Sequence, residues 1–443
     1  MHALSDTIFA PATAPGSGGV AILRLSGTQA GAALQRLTGK PLPPTRRATL
    51  ARLRDPQSGE DIDRGLVLWF PGPDSMTGED VAELHVHGGR AVLQGLQEVL
   101  TAMPGCRLAE PGEFTRRAFE NGKLDLVEAE AVADMVAAQT AAQRRQALRQ
   151  LDGALGGLYE EWRRQLLAAL AHSEAEIDFP DEDLPQGLVA ALRPSLEMLI
   201  GQMTAHLDDN RRGERLREGL HIAIVGAPNA GKSSLLNLLA QRDAAIVAET
   251  AGTTRDVIEV SLDLGGWPVI LADTAGLRDS DDAIEREGIR RARLRAEQAD
   301  LRLGVLDAVD PRSLAALHGV IGPGDIVVLN KVDLLADGAA PDWARAAMPF
   351  SARQGYGIAA LLNRLSDRAA DLMQSAQPLA TRQRHRDAVT ICRDSLVRAL
   401  GQQETELFAE DLRLAARALG RLTGRLGVED VLDAVFREFC IGK

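Results

Sequence analysis

The chain has 443 residues, 45% of them hydrophobic and 25% charged, and a net charge of -12. That length accommodates two or three domains with full cores, and the acidic balance excludes a protein that coats nucleic acid by nonspecific phosphate neutralisation. No apolar run approaches the roughly 18 residues needed to span a bilayer, and the N-terminus lacks a basic stretch followed by an apolar one, so a soluble, cytoplasmic protein without membrane association is expected. Four Trp, two Tyr and nine Phe leave Leu, Ala and Arg dominant, a composition of helices packed on aliphatic ridges. Cys106, Cys392 and Cys440 are too scattered for a disulfide framework or a zinc site with paired spacing, and reduced thiols are expected. Local basic clusters at Arg211-Arg212, Arg290-Arg291-Ala292-Arg293 and Arg382-Gln383-Arg384-His385-Arg386 leave room for RNA, although each reads first as a solvated helix face.

Residues 1–119 carry Gly and Pro punctuation around short strand-like runs, Val20 to Leu25 and Gly65 to Phe70, with helical patterns at Ala30 to Leu37 and Ala91 to Thr101. An α+β domain is expected there. His85 and His87 alternate on one strand face, a pair without other obvious metal ligands. Residues 120–218 change to helix formers, with apolar spacings of three and four at Leu151, Leu155, Leu158, Trp162, Leu166 and Leu170. The same texture returns over 376–443. The intervening 219–375 reads as α/β, so the expectation is a single helical bundle into which a Ras-like nucleotide-binding domain is inserted.

The chemistry is concentrated in that insert. Gly226-Ala227-Pro228-Asn229-Ala230-Gly231-Lys232-Ser233 follows the apolar run His221 to Val225 and precedes the helix-forming Ser234 to Leu239. This is a phosphate-binding loop: its glycines let successive N–H groups point inward, Lys232 reaches the terminal phosphates and the Ser233 hydroxyl can ligate magnesium. Gly252 to Asp256 lies where a mobile segment is expected, with Thr253 and Thr254 at hand and Thr254 able to complete the magnesium shell. Val257 to Leu264, Gly265-Gly266 and Trp267 to Ala272 read as a hairpin. Asp273 at its end is placed to hold a magnesium-bound water, and Gly276 to offer its N–H to the γ-phosphate.

Asn330-Lys331-Val332-Asp333 closes the run Ile326 to Leu329, at the carboxyl end of a strand where open α/β sheets bind ligands. The Asp333 carboxylate can accept from the N1–H and exocyclic amine of guanine, a donor pair that adenine lacks, so the nucleotide is GTP. Asn330 is expected to support the loop, the Lys331 stem to lie over the purine, and Ser351-Ala352 to form the last guanine-contacting loop. Where Ras-type proteins carry a water-orienting Gln after Asp-x-x-Gly, this chain has Leu277. An apolar side chain cannot orient water, which leaves Asp279, Asp281, Asp282, Glu285 and Glu287 as acidic alternatives.

These motifs, with Thr77-Gly78-Glu79-Asp80, His87-Gly88-Gly89, Pro111-Gly112-Glu113-Phe114 and the terminal Cys440-Ile441-Gly442-Lys443, resemble over the whole chain the MnmE (TrmE) family of tRNA-modification GTPases. The resemblance implies a homodimer that works with the flavoprotein MnmG, as a heterotetramer or larger complex, on the wobble uridine of tRNA. It implies a carboxymethylaminomethyl or aminomethyl group added at C5 from a formyl- or methylene-tetrahydrofolate, with Arg24, Glu83, Lys123 and Lys443 at the folate. It also implies potassium held by Asn229 and by the segment containing Ala248, Thr250 and Thr253, and hydrolysis through G-domain dimerisation. Glu285 falls where the family places the acid that positions water, and Cys440 where a thiol faces the folate region; a packed apolar residue is the plainer reading of Cys440. The alternative function is a ribosome-assembly GTPase without modification activity.

Overall fold

The computed structural model describes residues 6–178, 188–241, 245–246, 259–273, 294, 296–335, 340–425, 432, 435–436, 439 and 442. Two units divide the chain, one formed by Met1–Ala133, Gln150–Ala175 and Ala409–Lys443, the other by Asp134–Arg149 and Glu176–Phe408.

The first unit is built on a six-stranded sheet of β1 (Thr7–Pro11), β2 (Gly18–Ser26), β3 (Thr49–Arg54), β4 (Asp61–Phe70), β5 (Val81–Gly88) and β6 (Cys106–Leu108) in the order β3-β4-β5-β2-β1-β6. Strand alternation sorts its faces. Phe9, Leu23, Leu25, Leu84 and Val86 bury one face with residues of α1 (Ala30–Thr38) and α2 (Arg90–Thr101). The opposite face presents Ile8 and Ala10 to Phe114 of α3 (Glu113–Glu120), and carries Arg24, Ser26 and Glu83 beside them. Helical chain follows in α4 (Leu126–Ala137), α5 (Ala141–Leu151) and α6 (Ala154–Asp178), of which α5 falls almost wholly in the second unit.

The apolar spacing expected to run unbroken from Leu151 is interrupted, because the chain turns through Gly153 at φ 81 between α5 and α6. The stripe that α6 buries is Leu155, Tyr159, Trp162, Leu166 and Ala169, while Leu158 and Leu170 are only half-buried. Tyr159, its ring centroid 5.8 Å from that of the expected Trp162, takes the place assigned to Leu158.

The helical part of the second unit, besides α5, includes α7 (Leu188–Leu207) and α8 (Arg212–Glu218). Its seven strands are β7 (Leu220–Gly226), β8 (Ala245–Ile246), β9 (Glu259–Leu264), β10 (Trp267–Asp273), β11 (Leu301–Asp307), β12 (Ile326–Asn330) and β13 (Met348–Pro349), in the order β13-β12-β11-β7-β10-β9-β8. Parallel pairing from β10 through β13 leaves β7, β11 and β12 buried on both faces, which is why they read as continuous apolar runs. The expected hairpin pairs β9 with β10 antiparallel around Gly265-Gly266. Helices α9 (Lys232–Ala240) and α10 (Ile358–Met373) cover one face. Helix α11 (Gln383–Gly401) packs on α7, and most of the following α12 (Thr405–Leu422) belongs to the first unit. Arg386 of α11 holds Asp209 at 2.6 Å and the carbonyl of Leu207, fixing the turn that leads through α8 into β7.

One buried ionic cluster ties α3 to the first sheet. Arg117, 3% exposed, pairs with Glu79 and Glu113 at 3.0 Å each, while Ser26 donates to Glu79 at 2.6 Å. Burial raises the Glu113 carboxyl, but hydrogen bonds from Arg107, the Glu110 N–H and Arg117 outweigh it and leave the pKa below the usual carboxylate range. Its stabilisation is therefore present above the unfolded value of about 4.3 and lost as pH falls through the lower folded value. Arg117→Ala leaves the half-buried Glu79 without a cation, while Glu113 keeps Arg107, and should destabilise this unit by about 3 kcal/mol. A urea titration should show an earlier first transition; an unmoved one contradicts the role of the cluster.

Candidate functional site

The phosphate loop joins β7 to α9. It turns through Asn229 at φ 61 and Gly231 at φ 96. Gly231 is required on two counts: that φ is strained for any side chain, and a Cβ would lie 2.1 Å from Nδ2 of Asn330. Asn229, Ser233 and Ser234 are exposed, whereas Ala230 is fully buried. Lys232 is only 7% exposed, and its ammonium donates to the carbonyls of Gly226 at 2.8 Å and Ala227 at 2.9 Å. Burial lowers its pKa, opposed by the charge of Asp273. The cation is thus held over the loop in a poorly hydrated place, where a phosphate oxygen gains most from it.

Asp273 ends β10 almost fully buried and accepts a hydrogen bond from Ser233 Oγ at 2.8 Å. Hydroxyl and carboxylate on adjoining strand and helix ends form an all-oxygen donor set that fits a hard cation such as magnesium. Asn330 ends β12 and is 3% exposed. Its Nδ2 donates to the carbonyl of Ala230 at 2.8 Å, and its Oδ1 accepts from the N–H of Ala352 at 3.0 Å. One amide therefore fastens the phosphate loop to the loop after β13. Ser351 Oγ donates to Asp333 Oδ1 at 2.6 Å, and its own N–H is taken by the carbonyl of Tyr356. The Asp333 carboxylate is oriented before any base arrives.

Lys331, at φ 66, places its ammonium 2.6 Å from Oδ2 of Asp307. The stem expected over a purine is anchored from the end of β11 by an acid that the sequence reading missed. Its signal was available: Asp307 ends a buried strand as Asp273 does. Thr253, Thr254, Gly276 and Glu285, with Ala248 and Thr250, lie outside the described residues, as do Cys440 and Lys443.

In the first unit Arg24 and Glu83 face each other across β2 and β5, with Nε and Nη2 of Arg24 each 2.9 Å from Glu83 Oε1. The Arg24 guanidinium stands 5.9 Å from the Phe114 ring centroid, and His85 lies 3.2 Å from the other Glu83 oxygen. His87 turns instead to Asp63 at 2.8 Å, so the two imidazoles serve separate carboxylates, and no metal-binding group occurs among the described residues. No described contact joins Lys123 to the Arg24–Glu83 pair; its exposed side chain passes beside Gly78, at the turn that carries Glu79. Cys106 and Cys392 are free thiols, half-buried and buried, and burial raises both pKa values. Near the chain end, Phe439 packs with Phe436 and Leu126, and Gly442 is buried against the carbonyl of Pro11, where a Cβ would come within 2.0 Å.

Residues 126–440 match the model of the MnmE helical domain, and residues 7–123 match that of the GTP-binding protein TrmE N-terminus. The chain is 56% identical over 443 residues to the tRNA modification GTPase MnmE of Parvibaculum lavamentivorans, covering 99% of this chain and 100% of the relative. It is 57% identical over 443 residues to that of Paramagnetospirillum magneticum, with the same coverage. The relative from Rhodospirillum rubrum is 55% identical over 453 residues, covering 99% of both.

Gly231→Ala tests the loop geometry. The added methyl group collides with Asn330, so binding of a fluorescent guanine nucleotide should weaken at least about tenfold, with about 1–3 kcal/mol lost from the second unit. Unchanged affinity contradicts the joint that Asn330 makes.

Proposed function

The chain belongs to the MnmE family of tRNA modification GTPases and is a GTP-hydrolysing enzyme; we propose that it couples this hydrolysis, with the flavoprotein MnmG, to building an aminomethyl-type substituent at C5 of the tRNA wobble uridine. The contact of Ser233 with Asp273, brought beside Lys232 and the Asn330 joint, carries the GTPase half of this reading. The match over residues 7–123 supports the modification half, because a ribosome-assembly GTPase needs no such domain.

In this reading Lys232 and the inward N–H groups of the phosphate loop bind and orient the β- and γ-phosphates. Ser233 and Thr254 would hold magnesium, with Asp273 on one of its waters, and the ion would supply charge neutralisation on the phosphate oxygens when bound. Asp333 accepts from the guanine edge, with Ser351, Ala352 and Lys331 around the base. Asn229, with Ala248, Thr250 and Thr253, holds potassium where dimerised G domains would otherwise need an arginine finger. Glu285 orients the attacking water in place of the Gln that Leu277 replaces. Arg24 and Glu83 offer a cation and an acid above the Phe114 ring, a donor set suited to a folate's carboxylate tail and pterin edge. Lys123 and Lys443 add positive charge at that ligand. The position of Gly442 beside Pro11, one strand from Arg24, supports Cys440 acting near the same place. The reading takes the protein as a cytoplasmic homodimer.

Mass spectrometry of wobble nucleosides tests it. Cells lacking this chain should lose the C5-substituted uridine and regain it on complementation; normal tRNA in the deficient cells would sink the modification role. GTP turnover should be much faster in potassium than in sodium, and equal rates would remove potassium from the account. Glu285→Ala should lower kcat about 10²–10⁴-fold with nucleotide affinity nearly unchanged. Unaltered kcat would move that role to another acid.

A further inference from the structure

Of the basic clusters conspicuous in the sequence, the two near α8 and α11 are largely engaged inside the second unit, and Arg290 to Arg293 lie outside the described residues. Arg211 pairs with Glu214, Arg215 with Asp300, Arg382 with Asp134 and Arg386 with Asp209. They join helices and strands to one another.

Helix α5 is different. Over Ala141–Leu151 it reads AAQRRQALRQL, with no acidic residue. Arg144, Arg145 and Arg149 are all exposed, and none of their guanidiniums has a hydrogen bond or ion pair among the described residues. Helical geometry at 100° per residue gathers them within an arc of about 140°, with Leu148, 43% exposed, between them. Arg145 and Arg149 are spaced i,i+4, where like charges destabilise a helix. A face that only needed solvation could intersperse acids, as α6 does by pairing Glu160 with Arg163 and Glu161 with Arg164. In a chain of net charge -12, three unpaired guanidiniums on one and a half turns are a local reversal of sign.

We propose that this face of α5 binds the sugar-phosphate backbone of tRNA. The proposal rests on the family reading for the identity of the RNA. Guanidinium forks match phosphate oxygens bidentately, and the face has no aromatic anchor of the kind that centres a protein interface. The helix is also fastened to the GTP-binding unit: the Ala142 N–H donates to the carbonyl of Gly266 at 3.0 Å, and Gln143 Nε2 to that of Arg217 at 2.9 Å. RNA held on α5 therefore pulls directly on the β9–β10 turn and on α8, which leads into the phosphate loop.

The test is fluorescence anisotropy of the full chain with an unmodified tRNA transcript over a range of salt concentrations. The variant carrying Arg144→Gln, Arg145→Gln and Arg149→Gln should bind at least about tenfold more weakly and lose about 2–3 from the log–log salt slope. GTP turnover without tRNA should be unchanged, which shows that the variant is folded. Lys at the same three positions should keep most of the slope, and Arg417→Gln with Arg421→Gln, in the other unit, should leave it intact. Parental affinity and slope in the Gln variant, an equal loss in the Arg417 and Arg421 control, or no tRNA binding by the parent chain would overturn the proposal. None of these outcomes bears on loss of the wobble nucleoside in deficient cells, so failure of the α5 surface is distinguishable from failure of the modification role.

Discussion

The buried carboxamide of Asn330 is the joint on which the nucleotide site depends. A side chain that both donates and accepts is needed there, because it meets the Ala230 carbonyl on one side and the Ala352 N–H on the other. Neither group has another strand to pair with at that point, and leaving a buried backbone polar group unpaired costs about 1–3 kcal/mol. Through this one amide the phosphate loop and the loop after β13 share a fixed separation. That separation sets the distance between where phosphates and base can be gripped. Asp333 and Lys331 are then braced from the sides by Ser351 and Asp307, so the orientation of both is fixed by this chain's own residues.

The first unit solves a different problem. Its sheet buries one face under α1 and α2, and gives the other a mixed surface of apolar and ionic groups. Arg24, Ser26 and Glu83 stand on that second face beside Phe114, and Arg117 anchors α3 to the turn carrying Glu79. Burying this much charge yields little net stability, since desolvation offsets most of the attraction. It does fix the placement of α3 against the sheet, and hence of the cation, acid and ring on which the proposed folate site is built. The packing of Phe436, Phe439 and Gly442 brings the chain's end to the same unit.

Much of the second unit was legible in the sequence, because phosphate and guanine recognition dictate residue types at fixed strand ends. The β7 to α9 loop, the β9–β10 hairpin, Asp273 and Asn330 to Asp333 all lie where their spacing placed them. What escaped notice involves partners far apart in the chain. Asp307 serves Lys331 from a neighbouring strand, and Arg117 serves Glu79 from a helix 38 residues further along the chain; neither pairing leaves a local pattern. The apolar period through Leu151 misled for a related reason: spacing alone does not register a turn at Gly153, nor that Tyr159 beside Trp162 fills more core volume than Leu158. Charge runs misled in the opposite sense, since the most basic stretches near α8 and α11 are internal ties. Lys123, expected with Arg24 and Glu83 at the folate, is exposed, and no described contact brings it to that pair.

The central claim is that Asp333, oriented by Ser351, selects guanine within a site organised by Asn330. The most direct measurement is equilibrium binding of fluorescent GDP, ADP and XDP to the parent chain and to Asp333→Asn. The account predicts that the parent prefers GDP over ADP at least about a hundredfold, and that the Asn variant, now offering a donor where xanthine has a carbonyl, moves that preference to XDP. Equal binding of ADP by the parent, or an unaltered order in the variant, would contradict it.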